Sequence, residues 1–118
     1  MTSRGALGTR AQVLLWTAQR ASAAVLALCV IVHLVTIIYA VRSGLSAAEI
    51  LERTRGSAAW FGFYSLFVLA VTVHAPIGLR SVLSEWAGWR GRSRDFVLLL
   101  FAALLAWLGM RAVLGVFA

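Results

Sequence analysis

Two histidines, His33 and His74, stand in otherwise uncharged apolar runs of this 118-residue chain. An ionisable ring is costly in hydrocarbon, so each is expected to face a partner rather than lipid. His74 opens the stretch His74-Ala-Pro-Ile-Gly-Leu-Arg80, which ends the second run. Gly78, four residues on, shares a helical face with His74 and leaves the backbone bare beside the ring. Arg80 is the first charge after the run. A ring nitrogen, an open surface and a nearby cation suit a flat, metal-centred, anionic cofactor. Haem is such a group, with its iron on a histidine and its propionates near arginines. No Cys-x-x-Cys-His occurs, so any haem is expected to be non-covalent haem b. Neither histidine has a carboxylate in its own run, so a proton-relay or hydrolase constellation is absent. The competing role for both rings is a plain hydrogen bond to a neighbouring helix.

The elements that must position these rings are membrane-crossing helices. Hydrophobic residues make up 62% of the chain and charged residues 13%, with a mean hydropathy of +0.91. A soluble domain of this size has too little interior to hide that much apolar surface. The apolar residues fall in three long runs, at 21–41, 57–79 and 96–118. At about 1.5 Å per residue, each is long enough to cross about 30 Å of hydrocarbon. We therefore expect an all-α integral membrane fold with three transmembrane helices, residues 1–118 forming a single membrane domain. The first run exceeds the roughly 7–15 residues of a cleavable signal-peptide core. Residues 1–11 read as a polar segment at the membrane surface.

The formal net charge is +7, and apart from the two histidines every basic residue is arginine. The arginines flank the runs, so topology and anionic lipid account for them, and no nucleic-acid partner is expected. Cys29, the only cysteine, excludes an intrachain disulfide and reads as a small packing residue.

Within the first run Gln19, Ser22, Leu26, Cys29, His33 and Thr36 follow spacings of three and four. This places nearly all the small or polar groups on one stripe, which should face protein or cofactor. Ser46-Ala-Ala-Glu49 has the form of a capping box and predicts a short interfacial helix at about 47–55, closed by Gly56. Trp60, Phe61, Phe63 and Tyr64 crowd the start of the second run, as aromatic groups do at an interface. Pro76 removes a backbone donor and predicts a modest bend near His74. The connection at 80–95 is expected to lie along the interface, and Arg111, inside the third run, to snorkel or supply a cation to a buried group.

Arg4, Arg10, Arg20, Arg80, Arg90, Arg92 and Arg94 fall on one side of this topology, and Arg42, Arg53 and Arg55 on the other. Counting basic residues puts the N-terminus in the cytoplasm and the C-terminus outside. If Arg20 and Arg80 mark one face, His74 lies about 9 Å deep and His33 about 20 Å. Two ligands of one iron should share a depth. Each histidine is therefore expected to serve a different haem, with a second chain completing both, so that this chain is half of a larger helical bundle.

At these residues the chain resembles the cytochrome b membrane-anchor subunit of succinate dehydrogenase and fumarate reductase. Arg20-Ala-Ser22 stands in the place of the family's His-Arg-x-Ser/Thr-Gly signature, and His74-x-x-x-Gly78-x-Arg80 matches its haem-ligand motif. Gln19 replaces the signature histidine, Ala23 its glycine, and Trp16 stands where a pocket serine is often found. The resemblance implies His74 as an axial haem ligand and His33 as the first-span ligand of two-haem members. It implies Arg80 as a propionate partner and Arg20 and Ser22 at a quinone pocket; Arg111, from its place in the third run, is the second candidate propionate cation. It also implies a flavoprotein, an iron–sulfur subunit and a second three-span subunit as partners in the cell inner membrane. Two other readings stand beside it. A haem-free scaffold or small transporter subunit would need a mid-span carboxylate, which none of Glu49, Glu52, Glu85 and Asp95 supplies. A homodimeric b-type cytochrome would pair like histidines across a twofold axis.

Overall fold

The computed structural model describes residues 8–118, in which all regular structure is helical. Arg4 and the rest of the 1–7 segment lie outside the described residues. Four helices follow one another: α1 (Thr9–Arg42), α2 (Ala47–Thr54), α3 (Ala58–Trp86) and α4 (Arg92–Phe117). With 34, 29 and 26 residues, the three long helices rise about 51, 44 and 39 Å, all beyond the roughly 30 Å of a hydrocarbon layer. The body measures 61 × 25 × 22 Å, and α3 is its centre, with α1 along one side and α4 along the other.

The stripe read from the spacing of α1 is the face it turns inward. Ser22 and Cys29 are buried, and Gln19, Leu26, His33 and Thr36 half-buried, while Leu28, Ile31, Leu34, Val35 and Ile38 remain exposed. Among the described residues, Cys29, Ala70, Leu98 and Val113 are the only buried hydrophobic side chains. So small a core cannot hold the fold in water, where burial of apolar area is the main driving force. The chain is a multi-pass membrane protein whose outer faces require lipid or other helices.

Each long helix extends beyond its apolar run. α1 begins at Thr9, and α3 continues past Arg80 to Trp86, so the connection expected at 80–95 shrinks to residues 87–91. The extra turns have a packing reason. Arg80 meets Asp95 at 3.4 Å, the Ser84 hydroxyl meets Arg94, and Arg94 reaches Asp95 at 2.8 Å. This polar clamp closes the α3–α4 hairpin and leaves Arg94 only 4% exposed.

At the other end, α2 forms with the expected capping box: Glu49 N–H donates to Ser46 Oγ, and Ser46 N–H to Glu49 Oε2. The last carbonyls of α4, which have no donor inside the helix, are met from the α2–α3 junction. Thr54 Oγ1 donates to the Val116 carbonyl at 2.8 Å, and Gly56 N–H to that of Phe117 at 2.8 Å. Gly56 does so at φ +72°, a left-handed conformation that glycine adopts without a Cβ penalty.

Candidate functional site

Three contacts set α1 against α3 in one antiparallel register. Gln19 lies over Gly78, whose Cβ position would be 3.1 Å from Gln19 Nε2. Ser22 Oγ lies 3.5 Å from His74 Nδ1, and Tyr64 Oη lies 3.3 Å from His33 Nδ1. The two histidines therefore occupy separate layers of the bundle. From His74 to Tyr64 is ten residues of α3, and from Ser22 to His33 eleven of α1, about 15–17 Å along the axis. The separation exceeds the roughly 10 Å expected from the sequence. In this register Arg20 falls level with α3 about one turn short of Arg80, so the two arginines do not mark one depth.

His33 packs edge-on against Tyr64 and Phe67, with ring centroids 5.7 Å away in both cases. The ring lines a half-open cavity of about 530 Å³ with Tyr64, Phe67 and Val68 of α3 and Gly109 and Ala112 of α4. That volume falls within the roughly 300–1,000 Å³ of ligand sites. Apart from His33 and Tyr64 its lining is apolar. Gly109 lets α4 come close, because a Cβ there would lie 2.5 Å from Val68 Cγ1. Neither Tyr64 nor Gly109 was legible as part of a site. Tyr64 read as one more interfacial aromatic, and glycine is common in membrane helices.

His74 is half-buried between α1 and α3. Ser22, 7% exposed, donates its hydroxyl proton to the Gln19 carbonyl at 3.1 Å. Its oxygen then stands 3.5 Å from His74 Nδ1, at the long end of hydrogen bonding, with the direction set by the tautomer of the ring. Gly78, expected to leave a bare surface beside the ring, instead receives the Gln19 side chain. The Gln19 Oε1 atom is buried without a hydrogen-bond partner among the described residues.

The arginines are dispersed. Arg80 turns to Asp95 and lines a smaller cavity of about 240 Å³ with Pro76, Ile77 and Leu98, away from the α1 side where His74 sits. Arg111 is exposed, its guanidinium 5.2 Å from the Trp107 ring, and does not line the His33 cavity. Arg20 is exposed over Trp16 at 4.8 Å. Two residues is roughly 200° of helix, so Arg20 and Ser22 point to different sides of α1.

Among the described residues no three histidine, cysteine or acidic side chains form a metal cage. The donor set present is two single imidazoles, each half-buried at a helix seam and each with Nδ1 beside a hydroxyl. That is what a haem iron asks of one subunit: one ring nitrogen, with the other nitrogen hydrogen-bonded. At His33 the adjoining cavity adds about 530 Å³ of almost wholly apolar lining.

An all-helical membrane subunit with one ring nitrogen to offer in each of two layers is the class of protein that fold and site define. A family model for the succinate dehydrogenase/fumarate reductase transmembrane subunit matches residues 2–114, and the chain belongs to that family. Searches of curated proteins and of solved structures gave no match.

Proposed function

We propose that this chain is the membrane-anchor cytochrome b subunit of a succinate:quinone oxidoreductase, holding one axial ligand of each of two b haems. The observation that carries the reading is the pair of imidazoles in layers about 15–17 Å apart, each with Nδ1 against a hydroxyl and Nε2 without a hydrogen bond among the described residues. A second three-span subunit supplies the opposing ligands, and flavoprotein and iron–sulfur subunits dock on the face that carries Arg20, Arg80, Arg90, Arg92 and Arg94. That face is cytoplasmic by the excess of arginine, and the membrane is the cell inner membrane.

Haem, when bound, supplies a one-electron store between the iron–sulfur partner and quinone. The chain's own residues do the rest. His74 and His33 hold the metal positions, and Phe67, Val68 and Ala112 keep water from the His33 layer. Arg80 and Arg111 are the cations proposed for the propionates; Arg80 faces Asp95 and Arg111 lies exposed over Trp107, so each would have to turn to reach one. Arg20 and Ser22 mark the quinone-facing start of the first span. Arg20 is the exposed member and stabilises negative charge on a quinone oxygen, whereas Ser22 is reached only through the shallow groove it lines with Ala18 and Ala21.

The test is a pyridine haemochrome assay on the purified complex, with subunit stoichiometry measured alongside. Two b haems per pair of three-span chains are expected. His74→Ala should remove one and His33→Ala the other. An unchanged spectrum in His74→Ala would sink the assignment, and loss of nothing in His33→Ala would return that ring to helix packing.

A further inference from the structure

The geometry assigns Ser22 and Tyr64 as positioning residues that fix the tautomer and aim of the two histidines, an inference that rests on the haem reading above. The arrangement is reciprocal. His74 on α3 is held by a hydroxyl from α1, and His33 on α1 by a hydroxyl from α3. Neutral imidazole carries one proton, so a nitrogen that ligates iron must be bare while the other bears the N–H. At His74 the hydrogen bonds themselves point to one direction. With the hydroxyl proton of Ser22 on the Gln19 carbonyl at 3.1 Å, Ser22 Oγ is placed to accept across the 3.5 Å contact, which would put the His74 proton on Nδ1 and leave Nε2 bare.

At His33 no other hydrogen bond fixes the direction of the 3.3 Å contact with Tyr64 Oη; ligation through Nε2 requires Tyr64 to accept, with the ring held edge-on by Tyr64 and Phe67 at the cavity wall. An N–H that donates to oxygen raises the basicity of the opposite nitrogen and favours the ferric state. Loss of either acceptor should therefore raise the midpoint potential of one haem and leave the other where it was.

Redox potentiometry of the intact, haem-loaded complex decides the matter. Ser22→Ala is expected to move the potential of the haem that His74→Ala eliminates, and Ser22→Thr, which keeps the hydroxyl, to restore it. Tyr64→Phe, which keeps the ring packing, is expected to move only the haem that His33→Ala eliminates. Nitrogen-15 spectra of histidine in the full chain give a readout that needs no haem. His74 should carry its proton on Nδ1, and Ser22→Ala should let it pass to Nε2. Histidine variants that lose haem, combined with Ser22→Ala and Tyr64→Phe potentials at wild-type values, would overturn the positioning role while sparing the ligand assignments. A complex in which neither histidine variant loses haem would overturn both.

Discussion

The contact most open to a quantitative test is the one that lets α4 reach α3. A Cβ built on Gly109 lies 2.5 Å from Val68 Cγ1 and 2.9 Å from Cγ2, whereas carbon atoms settle at about 3.5–4.0 Å. Gly109→Ala must therefore push the helices apart by about 1 Å or turn Val68 out of its rotamer. A β-branched side chain in a helix has one strongly preferred χ1, so the helices should yield. Overpacking of this kind costs about 1–3 kcal/mol, and lipid offers no hydrophobic drive to hold the pair together, since packing itself drives association there.

Val68→Ala removes both clashing carbons and leaves Val68 Cβ at 3.3 Å, a distance a few tenths of an ångström would relieve. By itself it should cost about 1 kcal/mol in lost packing. The double variant should then be more stable than the sum of the singles by about 1–2 kcal/mol, the coupling expected of residues in contact. Thermal unfolding of the complex in lipid nanodiscs measures all four corners of the cycle. Because Gly109 and Val68 both line the His33 cavity, Gly109→Ala should release the haem proposed for that layer before the one proposed at His74. A neutral Gly109→Ala, or strict additivity in the double variant, would refute the close approach and the cavity wall built on it.

Two further outcomes follow from the basic end of the bundle. Arg20→Ala should lower quinone reduction by the complex while leaving dye-linked succinate oxidation intact, since Arg20 is exposed over Trp16 and holds no helix together; an equal fall in both activities would assign it to assembly instead. Asp95→Asn should destabilise the α3–α4 hairpin by about 1–3 kcal/mol, because the buried Arg94 loses its carboxylate, and unchanged thermal unfolding would show that the Ser84 contact suffices.

Composition and periodicity carried most of the fold. The three spans, the short capped helix and the inward stripe of α1 were all legible, because each rests on local chemistry: apolar length, a capping box, spacings of three and four. Helix ends were not. Arg80 and Ser84 prolong α3 for the sake of partners on α4, and a sequence shows no partner. The site was legible only in its parts. His33 and His74 stood out as ionisable rings in apolar runs, yet the hydroxyls that face them depend on the α1–α3 register, which no local signal fixes. The same blindness produced the short estimate of their separation, since Arg20 and Arg80 are equivalent in a count of charges but differ by about one turn in depth.

The polar atoms that lack partners bear on what the chain is built to receive. Among the described residues Gln19 Oε1, Ser65 Oγ and Thr72 Oγ1 are buried without hydrogen bonds, each a cost of about 1–3 kcal/mol where water is scarce. One of the three, Gln19 Oε1, lies near His74. Gln19 lies over Gly78, one turn from the ring, whereas Thr72, two residues before it, points to a different side of α3. Pro76, having no N–H, also leaves the Thr72 carbonyl without its helical donor. An acceptor buried without a partner one turn from a half-buried ring is a cost within the α1–α3 seam, and the exposed apolar faces of α1 and α4 require lipid or other helices. On the proposed reading the subunit is half of a structure at two levels: its helices need neighbours, and its histidines need a second donor across the haem they would hold.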